Sequence, residues 1–275
     1  MIVTNGHLVM ASTRASHIFR VFPLPLTGEN FCDVREGRGP GEVVGLDYKS
    51  LAAEGDGFWF MDAAGARKGT FSSHRINITR SFYRLQPTDT KNGFIQLRDG
   101  YLDINTDGSD KEYVLYDKTL VRKTPIGKYP KWDRSGQMLN LFTYIKFLAV
   151  KPSKDRFVAA YGRFPKIRIM TSKVSLKKEV DLNVSKKPLD PNFVYYLSKP
   201  CVNDSYICIV SQGGVAGNTA PELQILDWNG RLLKRFTLDN RVDLFAVDFE
   251  NWVIYTYSHE SPGSVFSSAI PDLSR

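Results

Sequence analysis

A turn followed at once by a short apolar, β-rich run recurs six times along these 275 residues. Successive turns lie 51, 43, 55, 49 and 47 residues apart, close to the roughly 40–50 residues that one four-stranded propeller blade requires. The six turns are Asn5-Gly6, Asp56-Gly57, Asp99-Gly100, Lys154-Asp155, Asn203-Asp204 and Glu250-Asn251. The repeat therefore predicts an all-β chain folded as a six-bladed β-propeller with four-stranded antiparallel blades.

The fifth unit shows the order of strands and turns within one blade. Apolar runs at 206–211 and 222–227 are followed by Trp228-Asn229-Gly230 and an outer run at 232–238. Asn-Gly between apolar runs favours a hairpin, because a type I′ turn needs positive φ at both central residues. The first unit reads as starting at its second strand, and the last ends after 264–270. We therefore expect the N- and C-terminal segments to share one blade, within a single domain of residues 1–275.

Charge and hydropathy exclude some classes of function. Lysine and arginine exceed aspartate and glutamate by 37 to 29, a formal charge of +8, which biases the chain toward acidic partners. No recognisable nucleic-acid module accompanies this charge, so we predict no nucleic-acid partner. No apolar run approaches the roughly 18 residues of a membrane span, and the segment after Met1 lacks the regions of a secretion signal.

Two of the three cysteines flank a predicted turn at 203–206. A symmetric hairpin places Cys201 opposite Cys208, with their Cα atoms within disulfide reach. The alternative is a pair of small buried residues. Both interpretations stay open at this stage, and Cys32 has no predicted partner.

Basic residues cluster in one set of predicted loops. In a propeller, the loops between second and third strands and those between blades lie on one face, and a cationic rim there would bind a carboxylate, phosphate or acidic glycan. The predicted ligand-binding residues are Arg14, Arg38, Arg67, Lys68, Arg163 and Lys166, together with the glycine-rich loop at Gly213. Scattered surface cations are the competing interpretation.

Two motifs resemble ion-binding loops. Asp103, Asn105 and Asp107 precede Gly108 with the alternation of the first half of a calcium loop, but Val114 stands where a bidentate Glu is expected. An Asp-Gly hairpin turn explains the same residues without metal, so no cofactor is predicted and calcium is kept as an alternative. Residues 37–42 read Gly-Arg-Gly-Pro-Gly-Glu and suggest a phosphate loop, yet a strand rather than a helix follows. We interpret them as a structural crossing in which Gly39 and Gly41 supply unusual backbone angles.

The same Gly-Arg-Gly-Pro-Gly-Glu motif, with 226–230 and 245–248, resembles the TolB-like six-bladed β-propeller proteins, an exported and largely uncharacterised family of Gram-negative bacteria. The resemblance implies the fold and a periplasmic or outer-membrane setting; a cytoplasmic location is the alternative, since the chain shows no signal. It implies no catalytic residue.

Two functions from different classes follow. The first is a non-enzymatic binding or scaffold protein of the cell envelope, whose partner is an acidic small molecule, a glycan or an envelope protein. The second is a calcium-dependent hydrolase like the six-bladed lactonases and esterases, with a metal on the axis. The second needs acidic and amide side chains at the axial mouth, and the candidates are Glu42, Asn140, Asn192, Asn240 and Asp243.

Overall fold

The computed structural model describes residues 1–12, 17–26, 31–72, 75–79, 93–132, 143–182, 194–212 and 220–271. The elements that these residues form are all β-strands. The first twelve are β1 (Ile2–Thr4), β2 (His7–Ala11), β3 (His17–Pro23), β4 (Phe31–Arg35), β5 (Asp47–Glu54), β6 (Gly57–Asp62), β7 (Gly65–Ser72), β8 (Arg75–Ile78), β9 (Ile95–Leu97), β10 (Gly100–Ile104), β11 (Tyr113–Tyr116) and β12 (Lys123–Ile126). The others are β13 (Lys146–Val150), β14 (Arg156–Tyr161), β15 (Lys166–Thr171), β16 (Leu176–Asp181), β17 (Cys201–Val202), β18 (Tyr206–Ser211), β19 (Glu222–Asp227), β20 (Leu232–Thr237), β21 (Leu244–Asp248), β22 (Val253–Tyr257) and β23 (Val265–Ala269).

Consecutive strands pair antiparallel into six sheets. Five sheets have four strands, and the sixth has three within the described residues. The first strand of each sheet lies innermost: β1 contacts both β5 and β21, and β17 contacts both β13 and β21. The molecule is a six-bladed β-propeller, which confirms the predicted fold class. In the described part of the chain, no helix has the length and apolar character needed to cross a bilayer.

Among the described residues the first and last sheets share no strand, which contradicts the predicted shared blade. Strands β1 to β4 already complete the first sheet, and the last sheet contains only β21, β22 and β23. The cause is β1, which pairs with β2 across the Asn5-Gly6 turn but is too short to show any periodicity in the sequence. The first and last sheets meet through side chains instead, around Leu8, Ala246 and Tyr255.

Each blade packs both of its faces against neighbouring blades. In β14, Phe157, Ala159 and Tyr161 face the third blade, whereas Val158 and Ala160 face the fifth. Side chains alternate along a strand, so a strand buried on both faces reads as a continuous apolar run. This is why the sequence repeat consists of apolar runs rather than of alternating patterns.

The tight turns use two geometries. Asn5 and Gly6 have φ angles of 44° and 65°, the positive values that a type I′ turn requires. At 227–230 only Gly230 has positive φ, at 80°, and its N–H bonds to the Asp227 carbonyl. This second turn is therefore not type I′; it is a tight turn whose last residue is left-handed, and a register shift follows it between β19 and β20.

A charged cluster is buried between the third and fourth blades. The Glu112 carboxylate lies 3.0 Å from Lys146 Nζ and 3.2 Å from Arg168 Nη1, and it accepts a hydrogen bond from the Tyr161 hydroxyl. Lys146 Nζ also lies 5.1 Å from the centroid of the Tyr113 ring. Burial lowers the pKa of Lys146, and Glu112 opposes that shift. One fully buried carboxylate thus pairs with two cations across a blade interface, and Arg168 also lies 3.7 Å from the Glu179 carboxylate.

Replacing Glu112 with Gln should reduce the free energy of unfolding by about 3 kcal/mol or more, because it leaves a buried ammonium without its counter-charge. Urea denaturation measures the loss. Adding Lys146→Met should recover stability, because the double variant no longer buries that charge. The control is Asp110→Asn, which removes an exposed ion pair with Lys111 and should cost less than about 1 kcal/mol. Equal midpoints for Glu112→Gln and Asp110→Asn would contradict this account.

Candidate functional site

A cavity of about 270 Å³ lies on the propeller axis, and all six innermost strands contribute to its wall. It extends to Gly55, Pro152 and Phe249, in or beside the turns that join innermost to second strands. The cavity therefore lies toward the face opposite the predicted cationic rim. Its wall is formed by Met1, Ile2, Val3, Ser50, Leu51, Ala52, Ala53, Glu54, Trp59, Ile95, Gln96, Ala149, Val150, Lys151, Lys154, Lys199, Pro200, Cys201, Val202 and Val247, in addition to those three residues.

Most of this wall is apolar. Leu51, Ile95 and Val247 come from three different blades, and each is buried. Apolar walls with a few convergent polar groups are the usual composition of small-molecule sites. The wall can therefore hold the apolar part of a small ligand.

One polar network lies at the turn end of the cavity. Lys154 Nζ lies 2.7 Å from the Glu54 carboxylate and 2.6 Å from the Gln96 side-chain oxygen. These contacts connect Lys154 of the fourth blade with Glu54 of the second blade and Gln96 of the third. Lys154 has a φ of 58°, a left-handed conformation that is uncommon for a residue other than glycine. Its charge is balanced by Glu54 within the site.

A second lysine crosses the axis. Lys199 precedes β17 in the fifth blade, and its Nζ donates to the carbonyls of Ser50 and Leu51 in the second blade, at 3.4 and 3.0 Å. Among the described residues no carboxylate forms an ion pair with it. Burial lowers the pKa of Lys199 to about 8, an effect that Asp47 and Cys201 oppose. The cavity thus contains a half-buried amine that is bonded only to neutral carbonyls.

The predicted opposition of Cys201 and Cys208 is confirmed, since their Cα atoms are partners in the β17–β18 ladder. Both thiols are free in the structure, which agrees with the interpretation as two small residues. Burial raises the pKa of the Cys201 thiol to about 11. This cavity thiol is therefore protonated and a poor nucleophile at neutral pH.

Two residues of the predicted rim have structural partners. Arg67 is 8% exposed, pairs with Asp62 at 2.9 Å, and donates to the carbonyls of Glu42 and Thr79. The Lys68 amine reaches Asp56 at 3.4 Å, in the β5–β6 turn on the opposite face. Both cations therefore have carboxylate partners within the fold.

Of the remaining rim residues, Arg38, Arg163 and Lys166 lie within the described part of the chain, in or beside loops of the predicted face. Lys166 pairs with Asp181 at 3.4 Å and lies 5.1 Å from the Trp132 ring. Arg163 is half-buried in the β14–β15 turn, and Arg38 is exposed between β4 and β5. Arg14 and Gly213 fall outside the described residues. A ligand site on this face stays a prediction.

Two of the candidates for an axial metal, Asp243 and Glu42, have partners in their own loops. The Asp243 carboxylate accepts from the His259 N–H at 2.7 Å and pairs with Arg241 at 3.3 Å. Asn240 is exposed, and Asn140 and Asn192 lie outside the described residues. Convergence of this set on the axis stays a prediction.

Glu42 organises the turn that resembled a phosphate loop. Its carboxylate accepts from the Gly39 N–H at 2.6 Å, and a Cβ added at Gly37 or Gly39 would lie 2.1 or 2.8 Å from Glu42 Oε2. Gly41 has a φ of 80°. Gly41 therefore supplies an unusual backbone angle as expected, whereas Gly39 permits the close approach of the carboxylate. The N–H that a phosphate would contact is already bonded.

The loop that resembles a calcium site is closed by its own hydrogen bonds. The Asn105 amide donates to Asp107 Oδ1, Ser109 Oγ and the Lys111 carbonyl, at 2.8, 2.9 and 3.0 Å. The Asp103 carboxylate is buried and accepts from the Ile104 N–H. A bond from Ser109 lowers the pKa of Asp107. An N–H donor therefore lies against the carboxylate that a cation would need.

Sequence reasoning missed the cavity residues Glu54, Gln96, Lys154 and Lys199. One signal was present: Lys199 is a charged residue two positions before the short run Cys201–Val202, which forms an innermost strand. Reading that run as a strand facing the axis would have placed Lys199 at the channel. Nothing in the sequence indicates that Lys154 reaches Glu54 and Gln96.

Comparisons with known proteins identify the fold alone. No protein-family model matches the chain, and no curated protein matches it. It resembles a member of the DUF4221 family from Bacteroides vulgatus, with 10% identity, a TM-score of 0.55, and coverage of 96% of this chain and 90% of that chain. It resembles a chain of a nidogen/laminin complex similarly, with 11% identity, a TM-score of 0.54, and coverage of 96% and 89%. For apo AztD from Citrobacter koseri the identity is 14% and the TM-score is 0.41. That match covers 87% of this chain and 59% of the AztD chain.

Arg67→Ala should lower the free energy of unfolding by roughly 3 kcal/mol, because Asp62 is fully buried and loses its counter-charge. Arg38→Ala, at an exposed position, should change it by less than about 0.5 kcal/mol. Urea unfolding of both variants measures the difference. If Arg67→Ala is as stable as the wild type, the structural role of this arginine is refuted.

Millimolar calcium should leave the melting temperature unchanged, because the Asn105 amide already donates to the Asp107 carboxylate that a cation would need. Differential scanning fluorimetry with and without a chelator measures this, since a ligand bound only to the native state raises the melting temperature. The control for the loop is Asn105→Ala, which should destabilise the protein equally in both buffers. A calcium-dependent rise that Asp107→Asn abolishes would restore the metal hypothesis.

Proposed function

We propose that this chain is a non-enzymatic binding protein that holds a small, largely apolar anion in its axial cavity. The observation that carries the proposal is Lys199, whose amine lies in an apolar cavity with no carboxylate partner among the described residues. An ammonium has three N–H donors, and the carbonyls of Ser50 and Leu51 take two. The third can donate to a carboxylate of the ligand.

The energetics favour an anion over a neutral ligand of the same shape. An anion adds a charge–charge attraction to the hydrogen bond that the Lys199 ammonium donates. Partial burial of the amine strengthens that attraction, because the local dielectric is lower than in water. Aliphatic groups of the ligand would pack on Leu51, Ile95 and Val247. The cavity is at the small end of ligand pockets, so we propose a short carboxylic acid rather than a glycan chain.

The cellular setting is part of the proposal. The Gly-Arg-Gly-Pro-Gly-Glu motif supports a place among the TolB-like propellers, and with it a role in the cell envelope. A protein partner could bind the same face by inserting an acidic side chain into the cavity, which would use the same chemistry.

Hexanoate and 1-hexanol are a matched pair of probes for this site. Hexanoate should raise the melting temperature more than hexanol at equal concentration, because only hexanoate carries a negative charge and forms an ion-paired hydrogen bond with the Lys199 ammonium. Titration calorimetry should give at least about tenfold tighter binding for hexanoate, equivalent to one such bond of roughly 1.4 kcal/mol or more.

Lys199→Met should abolish the preference for hexanoate and retain the response to hexanol. The control is Lys177→Met, which removes an exposed lysine of β16 and should leave both responses unchanged. If neither probe binds the wild type, or if Lys199→Met keeps the preference, the proposed function fails.

A further inference from the structure

The Lys199 amine has a second chemical property besides its charge. In the neutral form an amine has two N–H donors and one lone pair, and the structure offers the two carbonyls of Ser50 and Leu51 as acceptors. With both N–H groups directed at these carbonyls, the lone pair is directed away from the second blade. Because Lys199 lines the cavity, that direction is available to a ligand.

We propose that Lys199 reversibly captures small aldehydes as imines within the axial cavity. The inference rests on the proposed function only in requiring that the cavity admit a small ligand. It adds a covalent step and a second ligand class, aliphatic aldehydes, whose chain would pack on the same apolar wall. Desolvated lysines in apolar pockets are the ones that form Schiff bases.

The step balances without any further reagent. Nζ attacks the carbonyl carbon, the C=O π pair moves to oxygen, and the two N–H hydrogens leave with that oxygen as water while the C=N bond forms. The neutral imine then takes up one proton from solvent, and the N–H of the resulting protonated imine can donate to the Leu51 carbonyl. Hydrolysis reverses the sequence.

The charged and titratable groups around Lys199 are consistent with this assignment. Asp47 is the carboxylate that most raises the pKa of Lys199. Its oxygens accept hydrogen bonds from the backbone N–H groups of Lys49, Gly93 and Phe94. Glu54 pairs with Lys154, and Lys151 lines the cavity as a further cation.

Two competing nucleophiles lie in the same cavity. The Cys201 thiol is held protonated by its raised pKa of about 11. The amino group of Met1 has its pKa lowered to about 6 by burial, so wherever the chain begins at this residue it can also react. Any test must therefore identify the modified residue.

At neutral pH the amine of Lys199 is already partly unprotonated. A pKa of about 8 leaves about a tenth of the amine neutral at pH 7, against roughly one part in 2,500 for a lysine with the ordinary pKa of about 10.4. Reductive trapping should therefore favour Lys199 over reference amines.

The experiment uses butanal with sodium cyanoborohydride at pH 7 and assigns the butylated residues by peptide mass spectrometry. Acetyl-lysine amide in the same solution is the reference amine, and Lys177 is the internal control. We expect Lys199 to be butylated at least about tenfold faster than either, and hexanoate to slow this reaction by competing for the cavity.

Lys199→Arg separates this inference from the proposed function, because it keeps the charge and removes the nucleophile. We expect it to lose butylation at position 199 and to retain the hexanoate preference. Butylation of Lys199 no faster than of Lys177, or only at Met1, would overturn the imine proposal while leaving anion binding intact. Fast butylation without hexanoate binding would support imine capture and overturn anion binding instead.

Discussion

Packing of each sheet between two neighbours is the constraint on which the rest of the molecule depends. Because β14 buries Phe157 in one interface and Val158 in the next, each blade is stable only between its neighbours. The ring must therefore close, and here it closes by contacts of Leu8 with Ala246 and Tyr255 rather than by a shared sheet. Six short innermost strands then meet at the axis, and the space between them is the cavity.

The features that the sequence predicted correctly are local ones. Strands β18 and β19 have the bounds of the predicted apolar runs, and Cys201 lies opposite Cys208, because a turn and its flanking residues determine hairpin register. The shared blade was wrong because β1 has only three residues, too few for any period to be visible. The turn at 227–230 was mistaken for type I′ because Asn-Gly also fits turns in which only the glycine has positive φ.

The site could not be predicted in the same way, because its residues come together only through radial closure. Lys199 and the Leu51 carbonyl are 148 residues apart in the chain. The sequence also does not show whether a given lysine or arginine will have a carboxylate partner in the fold. Arg67, a predicted rim residue, pairs with the buried Asp62, whereas Lys199, which belongs to no motif, has no carboxylate partner among the described residues.

Two lysines on innermost segments differ in what surrounds their ammonium groups. Lys146 is sealed between blades with Glu112 at 3.0 Å and a tyrosine ring over its ammonium, so its charge is used entirely within the fold. Lys199 lies beside a cavity, bonded only to carbonyls, and burial makes its charged form costly. A counter-ion or a covalent partner from outside would relieve that cost. The same desolvation that destabilises the apo protein thus favours both ligands proposed for the cavity.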